Sequence, residues 1–154
     1  MHRKITFLVT IALLFILLGV GTAAALTWQN ETVDSGGYGE YSSIALNVAG
    51  EPRVSYYDRA HGDLRFAKNN YDGGGWRIET VDSAGDVGLY SSLALTSAGT
   101  PCISYYDYTN GNLKYAAYSG SAWTIQTVDS AGDVGLYTSL TLNDYGEPCI
   151  SYYD

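Results

Sequence analysis

The sequence has few of the residues that most readily indicate catalytic or metal chemistry. It contains two cysteines and two histidines in 154 residues, and it lacks the C-x-x-C or Cys/His spacing that predicts a zinc site. His2 belongs to the N-terminal segment, so His61 is the one histidine in the rest of the chain. A Ser-His-Asp arrangement is therefore weakly supported. These absences argue against a zinc enzyme and against a triad hydrolase.

Basic residues are also scarce. The chain has eight Lys and Arg against 16 Asp and Glu, a formal charge of −8. Arg3 and Lys4 lie at the extreme N-terminus, so residues 26–154 carry a charge of −10. Such a surface repels phosphate backbones, and no basic stripe offsets it. We expect no nucleic acid partner.

The N-terminal segment has the three-part pattern of a secretory signal peptide. A basic start is followed by the apolar run Ile5–Val20 and by small residues that end at Ala25. We expect a signal peptide over residues 1–25 with cleavage after Ala25. The alternative is an uncleaved anchor, because Ile5–Leu26 is 22 residues without a charge. In both cases the basic start predicts export of residues 26–154, which are then secreted or displayed at the cell surface.

The rest of the chain is repetitive. Ser-Tyr-Tyr-Asp occurs at Ser55–Asp58, Ser104–Asp107 and Ser151–Asp154, and TVDSAGDVGLY occurs identically at Thr80–Tyr90 and Thr127–Tyr137, a shift of 47 residues. We place the repeats near residues 28–75, 76–122 and 123–154. A period of this length is typical of one supersecondary unit of a propeller or a solenoid.

The middle repeat predicts four strands. The segments Ser91–Thr96, Cys102–Tyr106, Leu113–Tyr118 and Trp123–Val128 alternate polar and apolar residues or are rich in aromatic and β-branched residues. Asn110-Gly111 supplies a hairpin turn. Since no helical period follows the N-terminal segment, we predict an all-β chain of four-stranded antiparallel β-propeller blades with the first strands innermost. A β-solenoid, with shorter coils and parallel strands, is the competing prediction.

The phase of the repeats predicts an incomplete ring. The chain runs from one fourth strand (Trp28–Val33) through two whole blades to the second strand of a third, which makes roughly two and a half blades. A closed propeller needs four to eight blades. The sequence therefore favours a piece of a longer propeller. The alternative is a homo-oligomer in which several copies build one ring.

The two cysteines occupy the same repeat position. Cys102 and Cys149 each stand in Pro-Cys-Ile-Ser-Tyr-Tyr-Asp. Equivalent positions of sheets packed face to face lie about 10 Å apart, which exceeds the Cα separation of roughly 7 Å that a disulfide tolerates. We predict two half-buried thiols, with pairing between chains as the alternative.

The repeat resembles a known kind of propeller. Its pattern, I-S-Y-Y-D-x-x-x-G-x-L-x-Y-A followed by W-x-I-x-T-V-D-S, is similar to repeats of secreted bacterial and archaeal β-propellers, and loosely similar to sialidase-type Asp-box propellers. The Asp-box pattern Ser-x-Asp-x-Gly-x-Thr-Trp is only approximated: Ser104–Asp107 with Gly111 keeps the Asp and a downstream Gly, and no Trp follows. The resemblance implies a secreted scaffold and transfers no active site.

Strand order brings two sets of loops to one rim of the predicted blades, because the link between blades and the loop after the second strand emerge on the same side. The candidate ligand-binding residues there are Asp82, Asp86, Tyr90, Tyr106, Asp107, Asp129, Asp133 and Tyr137. Two structural interpretations compete with this one. Turn aspartates commonly cap their own backbone. The tyrosines of each Tyr-Tyr pair alternate faces, so at least one of them is expected to pack between blades; packing is the favoured interpretation at each position, and a ring offered to a sugar is the alternative for the other. Asp86 and Asp133 are the better functional candidates, since the first copy has Gly37 there.

Catalysis is poorly supported. A glycosidase needs two carboxylates about 5–10 Å apart, and the repeated aspartates single out no pair. A sialidase-like site gathers arginines from several blades, whereas the arginines after the N-terminal segment all lie between Arg53 and Arg77. A calcium loop with EF-hand spacing is absent. No repeat is expected to carry a set of polar residues that differs from those of the other repeats.

These observations predict a secreted or surface-exposed, non-catalytic binding module for a glycan or an extracellular protein, with no cofactor and no metal, and with membrane contact only through an N-terminal anchor. Repeated loops suit multivalent weak contacts. The alternatives are a fragment of a sialidase-like glycoside hydrolase and a purely structural surface repeat.

Overall fold

The computed structural model describes residues 8–11, 29–36 and 39–154, and all helix or strand within these ranges is β-strand. The strands are β1 (Leu8–Ile11), β2 (Gln29–Thr32), β3 (Gly39–Leu46), β4 (Pro52–Asp58), β5 (Asp63–Asn69), β6 (Trp76–Asp82), β7 (Val87–Leu95), β8 (Pro101–Asp107), β9 (Asn112–Tyr118), β10 (Trp123–Asp129), β11 (Leu136–Leu142) and β12 (Pro148–Tyr153).

The strands form consecutive antiparallel sheets. Strands β3 to β6 make one four-stranded sheet, here blade A, and β7 to β10 make a second, here blade B. Strands β11 and β12 pair as half-blade C, and β1 pairs with β2. In each sheet neighbouring strands follow one another in sequence, as tight turns require. This arrangement confirms the predicted all-β fold of four-stranded antiparallel sheets and contains no parallel coils within the described ranges.

The second strand of each whole blade is its most buried element. Every residue of β8 (Pro101–Asp107) is buried, because β8 has a strand on each side and a packed sheet against its face. Strand β7 begins at Val87, before the predicted Ser91, since Val87 pairs with Asp107 and Leu89 with Tyr106. Two register shifts let this early part of the strand pair and then bend.

The core lies between the blades. Leu64 and Phe66 of blade A belong to one buried cluster with Ile103 and Tyr105 of blade B. The first strands of successive sheets are joined by a repeated hydrogen bond. Leu93 N–H donates to Ser43 Oγ at 3.0 Å, and the next interface has the same bond from Leu140 N–H to Ser92 Oγ at 2.9 Å. Direct contact between first strands agrees with their predicted inner position.

The segment formed by β2 and Val33 packs as the fourth strand of a blade does. Val33, just after β2, is buried against Val54 and Tyr56 of blade A, as Val81 is buried against blade B. Of the predicted signal peptide over residues 1–25, only Leu8–Ile11 is described, paired with β2. The rest lies outside the described residues, and the signal peptide stays a prediction. The described ranges contain no helix suited to crossing a membrane.

The two cysteines differ from the prediction that both are half-buried. Cys102 is buried, Cys149 is exposed, and both are free thiols. The difference follows from their neighbours. Strand β8 lies between β7 and β9, whereas β12 pairs with β11 alone in the described sheets.

The beginning of β7 lies very close to blade A, which makes Gly88 sensitive to substitution. It has φ +108°, and a Cβ there would lie 2.8 Å from Leu64 Cα. We expect Gly88→Ala to lower the free energy of unfolding by about 2–4 kcal/mol, from left-handed strain and overpacking together. Gly120→Ala is the matched control, because Gly120 has φ +93° and open space around its Cβ position. It should lose only about 1–2 kcal/mol in urea unfolding. Equal losses in the two variants would contradict the packing shown here.

Candidate functional site

The links between blades and the hairpins after the second strands meet on one side, as predicted. Val87 N–H donates to Gly62 O at 2.9 Å, and Val134 N–H donates to Gly111 O at 3.0 Å. Each bond joins a link to the hairpin of the blade before it. We call this side the loop rim, formed by residues 58–63, 82–87, 107–112 and 129–135.

The first tyrosine of each Ser-Tyr-Tyr-Asp copy bonds backward along the chain. Its hydroxyl donates to the aspartate that ends the preceding fourth strand: Tyr56 to Asp34 at 2.8 Å, Tyr105 to Asp82 at 2.7 Å, and Tyr152 to Asp129 at 2.7 Å. Three successive sheet junctions therefore carry the same bond.

The second tyrosine bonds forward. Tyr57 donates to Asp86 at 2.7 Å, and Tyr106 donates to Asp133. Burial, together with the hydrogen bond to Asp133, raises the pKa of Tyr106 to about 12. The hydroxyl therefore stays protonated and donating at neutral pH. These two aspartates, the better functional candidates from sequence, each fix a link against a hairpin.

A buried cation completes the network between blades A and B. Lys114 Nζ lies 2.6 Å from Asp82 Oδ2 and 3.7 Å from Asp107 Oδ2. Burial acts to raise the pKa of Asp82, but hydrogen bonds from Lys114, Tyr105 and the Ala84 amide outweigh it, so the net pKa is lowered. The carboxylate is thus held in its charged form inside the protein.

Several sequence candidates have structural partners. Asp82, Asp107 and Tyr106 are buried, which leaves little of their surface for a ligand. The aspartates also accept from the backbone of their own turns, Asp82 from Ala84 N–H at 3.0 Å and Asp129 from Ala131 N–H at 3.0 Å. This is the capping that the structural interpretation predicts.

The Tyr-Tyr pairs of the two whole blades pack inside the structure. Both tyrosines of the pair in blade A, Tyr56 and Tyr57, are buried, and so are Tyr105 and Tyr106 in blade B. Packing was the favoured prediction for these positions, with a sugar contact as the alternative for one tyrosine of each pair. In these blades both rings are packed, because the following link covers the second ring and accepts its hydroxyl.

Three other tyrosines form the accessible part of the site, two of them exposed and the central one, Tyr90, half-buried. Tyr41, Tyr90 and Tyr137 stand at the same position of the three first strands, and their rings are in a row with centroids 4.5 Å apart at both steps. We call this row the tyrosine ladder. Tyr41 is 40% exposed and Tyr137 is 68% exposed. The sequence candidates included Tyr90 and Tyr137 but not Tyr41, whose equivalence in the repeat was the available signal.

The ladder tyrosines have unusual backbone. Their φ angles are +52° for Tyr41, +55° for Tyr90 and +53° for Tyr137, a region in which a bulky residue is strained. Each lies within a register shift of its strand pair. The shift turns the carbonyl toward the next sheet, so Tyr41 O accepts from Ser91 Oγ at 2.8 Å and Tyr90 O accepts from Thr138 Oγ1 at 3.1 Å. The hydrogen bond to the carbonyl oxygen explains why the backbone takes a positive φ at Tyr41 and Tyr90, but glycine or asparagine would adopt this φ with less strain.

The site gives no indication of a bound metal. Within the described ranges, no three His, Cys, Asp or Glu side chains are grouped as a metal ion would require.

The buried Asp82 carboxylate predicts that the free energy of unfolding decreases at acidic pH. Its pKa is lowered on folding, so its contribution is present above the unfolded pKa of about 3.9 and is lost as the pH falls through the folded pKa. We expect Asp82→Asn to cost about 3 kcal/mol at pH 7, since Lys114 loses its charged partner. Below about pH 4 the difference from the wild type should shrink, as measured by urea unfolding across pH.

Asp72→Asn is the control. The pKa of Asp72 is also lowered, by the Gly74 amide and Arg77 against the effect of desolvation, but this pair is exposed and screened by solvent, so the substitution should leave stability nearly unchanged. A pH-independent gap between Asp82→Asn and the wild type would show that the carboxylate charge is not what stabilises the junction.

Comparison with known proteins supplies one informative likeness. No family model matches the chain, and no curated protein matches it. Among solved structures, the chain is similar to a fucose lectin from Kordia zhangzhouensis in complex with methyl-fucoside, with a TM-score of 0.50 and 17% sequence identity over 73% of this chain and 82% of that chain. At this identity the likeness concerns the fold, and it accords with the arrangement of antiparallel sheets described above.

Proposed function

We propose that this protein is a secreted or surface-exposed carbohydrate-binding module without catalytic activity, and that it binds glycan through the tyrosine ladder. The observation that carries the proposal is the ladder itself. Tyr41, Tyr90 and Tyr137 place three rings side by side, one from each first strand, and the central ring lies beside the loop rim, 6.3 Å from the ring of Tyr106. A tyrosine offers an apolar ring face and a hydroxyl at a small cost in side-chain entropy, and this combination suits a hydroxylated ring such as a sugar.

Backbone strain supports a binding role for the ladder. Residues held at positive φ without being glycine cluster at binding sites, where the surrounding structure enforces them. Tyr137 is mostly exposed, so its ring contributes little to packing that would offset the strain. A strained and exposed aromatic residue repeated at equivalent positions favours a surface used for contact.

The other rim residues favour binding over catalysis. Asp86 and Asp133 accept hydroxyls from buried tyrosines, and Asp82 is paired with Lys114. These carboxylates therefore have defined structural partners. The likeness in fold to a fucose lectin supports the same class of function, and the basic and apolar start of the chain supports export.

A glycan array with purified residues 26–154 tests the proposal. We expect binding that falls about tenfold in Tyr137→Ala and further in Tyr90→Ala, because Tyr90 lies between the other two rings. Tyr71→Ala is the matched control, since Tyr71 has φ +52° and is 55% exposed but lies outside the ladder. It should bind like the wild type. Unchanged binding in both ladder variants would refute this site, and turnover of a chromogenic glycoside that is lost in Asp86→Asn would establish a hydrolase instead.

The strain argument makes a separate prediction. Glycine adopts positive φ without the Cβ penalty, so we expect Tyr137→Gly to keep or slightly raise the melting temperature while glycan affinity falls. Thermal unfolding and the array, measured on the same preparation, check this. A large loss of melting temperature would mean that the Tyr137 ring acts in packing and not in binding.

A further inference from the structure

A cavity of about 230 Å³ lies between blades A and B on the side opposite the loop rim. Blade A contributes Arg53, Lys68 and Glu79, and blade B contributes Tyr118 and the turn at residues 99–101. The volume is below the roughly 300–1,000 Å³ of pockets for larger ligands. It suits a ligand of about the size of one monosaccharide.

Two positive charges face each other at this cavity. Arg53 is paired directly with Lys68 across β4 and β5, and like charges at opposed positions are destabilising. Arg53 is held by hydrogen bonds to Asn69 O at 2.9 Å and to Glu51 at 3.1 Å. Lys68 Nζ is 3.7 Å from Glu79 Oε1, which is longer than a hydrogen bond. The ammonium group is therefore only loosely paired.

The next interface lacks this charged set. In blade B the equivalents of Arg53, Lys68 and Glu79 are Cys102, Ala117 and Gln126, although the Ser-Tyr-Tyr-Asp and TVDS segments are the same. Cys102 and Ala117 are paired as Arg53 and Lys68 are. The fold thus accommodates neutral residues at these positions. The expectation that no repeat carries polar residues different from those of the other repeats is wrong for blade A.

The wall of the cavity is aromatic. Phe66 and Tyr118 both line it, and the Trp123 ring lies between them, with centroids 5.4 Å from Phe66 and 5.3 Å from Tyr118. The cavity therefore combines an aromatic wall with two cations, of which Arg53 is paired with Glu51 at 3.1 Å and Lys68 is the less tightly paired one, 3.7 Å from Glu79.

We propose that this cavity binds one monosaccharide that carries a carboxylate, with the carboxylate at Lys68 and Arg53 and the sugar ring against Tyr118. A carboxylate beside Lys68 gives its loosely paired ammonium group a direct hydrogen-bond partner, and charged hydrogen bonds to a carboxylate are among the stronger ones available. The site is on the opposite rim from the tyrosine ladder and takes a different ligand, so it stands or falls independently of the proposed function.

Calorimetric titration of residues 26–154 with methyl β-D-glucuronide tests the proposal, with methyl β-D-glucoside and sodium acetate as comparison ligands. We expect the glucuronide to bind at least about tenfold more tightly than either, because only it offers both the ring and the charge. Binding should weaken as salt is raised, as screening of a partly exposed cation requires. Equal affinity for the glucuronide and the glucoside would overturn the proposal.

Substitutions toward the residues of blade B probe the charges without disturbing the fold. Lys68→Ala should weaken glucuronide binding about tenfold. Glu79→Gln should strengthen it a few fold, because it frees Lys68 from its partner. Opposite signs for two neighbouring variants are not expected from a general loss of packing.

Arg77→Ala is the charge control, since Arg77 is an exposed cation paired with Asp72 outside the cavity. It should leave glucuronide affinity unchanged. An equal loss in Arg77→Ala and Lys68→Ala would assign the effect to overall charge and refute the site. Loss in Tyr90→Ala would place the glucuronide at the ladder.

Discussion

The hydrogen bond from a tyrosine hydroxyl to an aspartate of a neighbouring segment is the interaction on which this structure depends. Each Ser-Tyr-Tyr-Asp copy within a whole blade uses its two hydroxyls in opposite directions along the chain, Tyr105 to Asp82 behind it and Tyr106 to Asp133 ahead of it. Apolar burial between sheets supplies most of the attraction but has no direction. The buried polar pairs add the direction, because a shifted sheet would leave a carboxylate or a hydroxyl unsatisfied. Register between blades and the position of the rim loops both follow from this requirement.

The tyrosine ladder depends on the same junctions. Its rings approach each other only because successive first strands contact one another, and the Ser91 hydroxyl that donates to the carbonyl of the strained Tyr41 comes from the next sheet. Each sheet thus holds its neighbour in a backbone conformation that it would not adopt by itself. Loss of a junction is therefore expected to affect the exposed surface as well as stability, although the tyrosine–aspartate hydrogen bonds and the ladder share no residue.

Much of the fold was predictable because the sequence repeats itself. Alternation, the Asn110-Gly111 turn and the 47-residue shift predict strands and their order without knowledge of tertiary contacts. The early start of β7 at Val87 was not predictable, since it depends on register shifts opposite Asp107 and Tyr106. The partner of Tyr57 was not predictable for a related reason: Asp86, which accepts its hydroxyl, is 29 positions away. The pairing of Arg53 with Lys68 likewise needed the strand register, although the departure of both residues from their equivalents in blade B was visible in the sequence.

The identical link segments have a consequence for how such a protein diversifies. Because Thr80–Tyr90 and Thr127–Tyr137 are the same peptide and share the bonds from the tyrosine hydroxyls and to the preceding hairpins, the joints between units are equivalent in these contacts, while the strand residues between the joints are free to vary. Arg53 and Lys68 in one unit and Cys102 and Ala117 in the next show that variation. A protein with equivalent joints is able to change the residues that line one cleft without changes in the other clefts. Its units therefore come to differ in chemistry one at a time, while the packing between them stays the same.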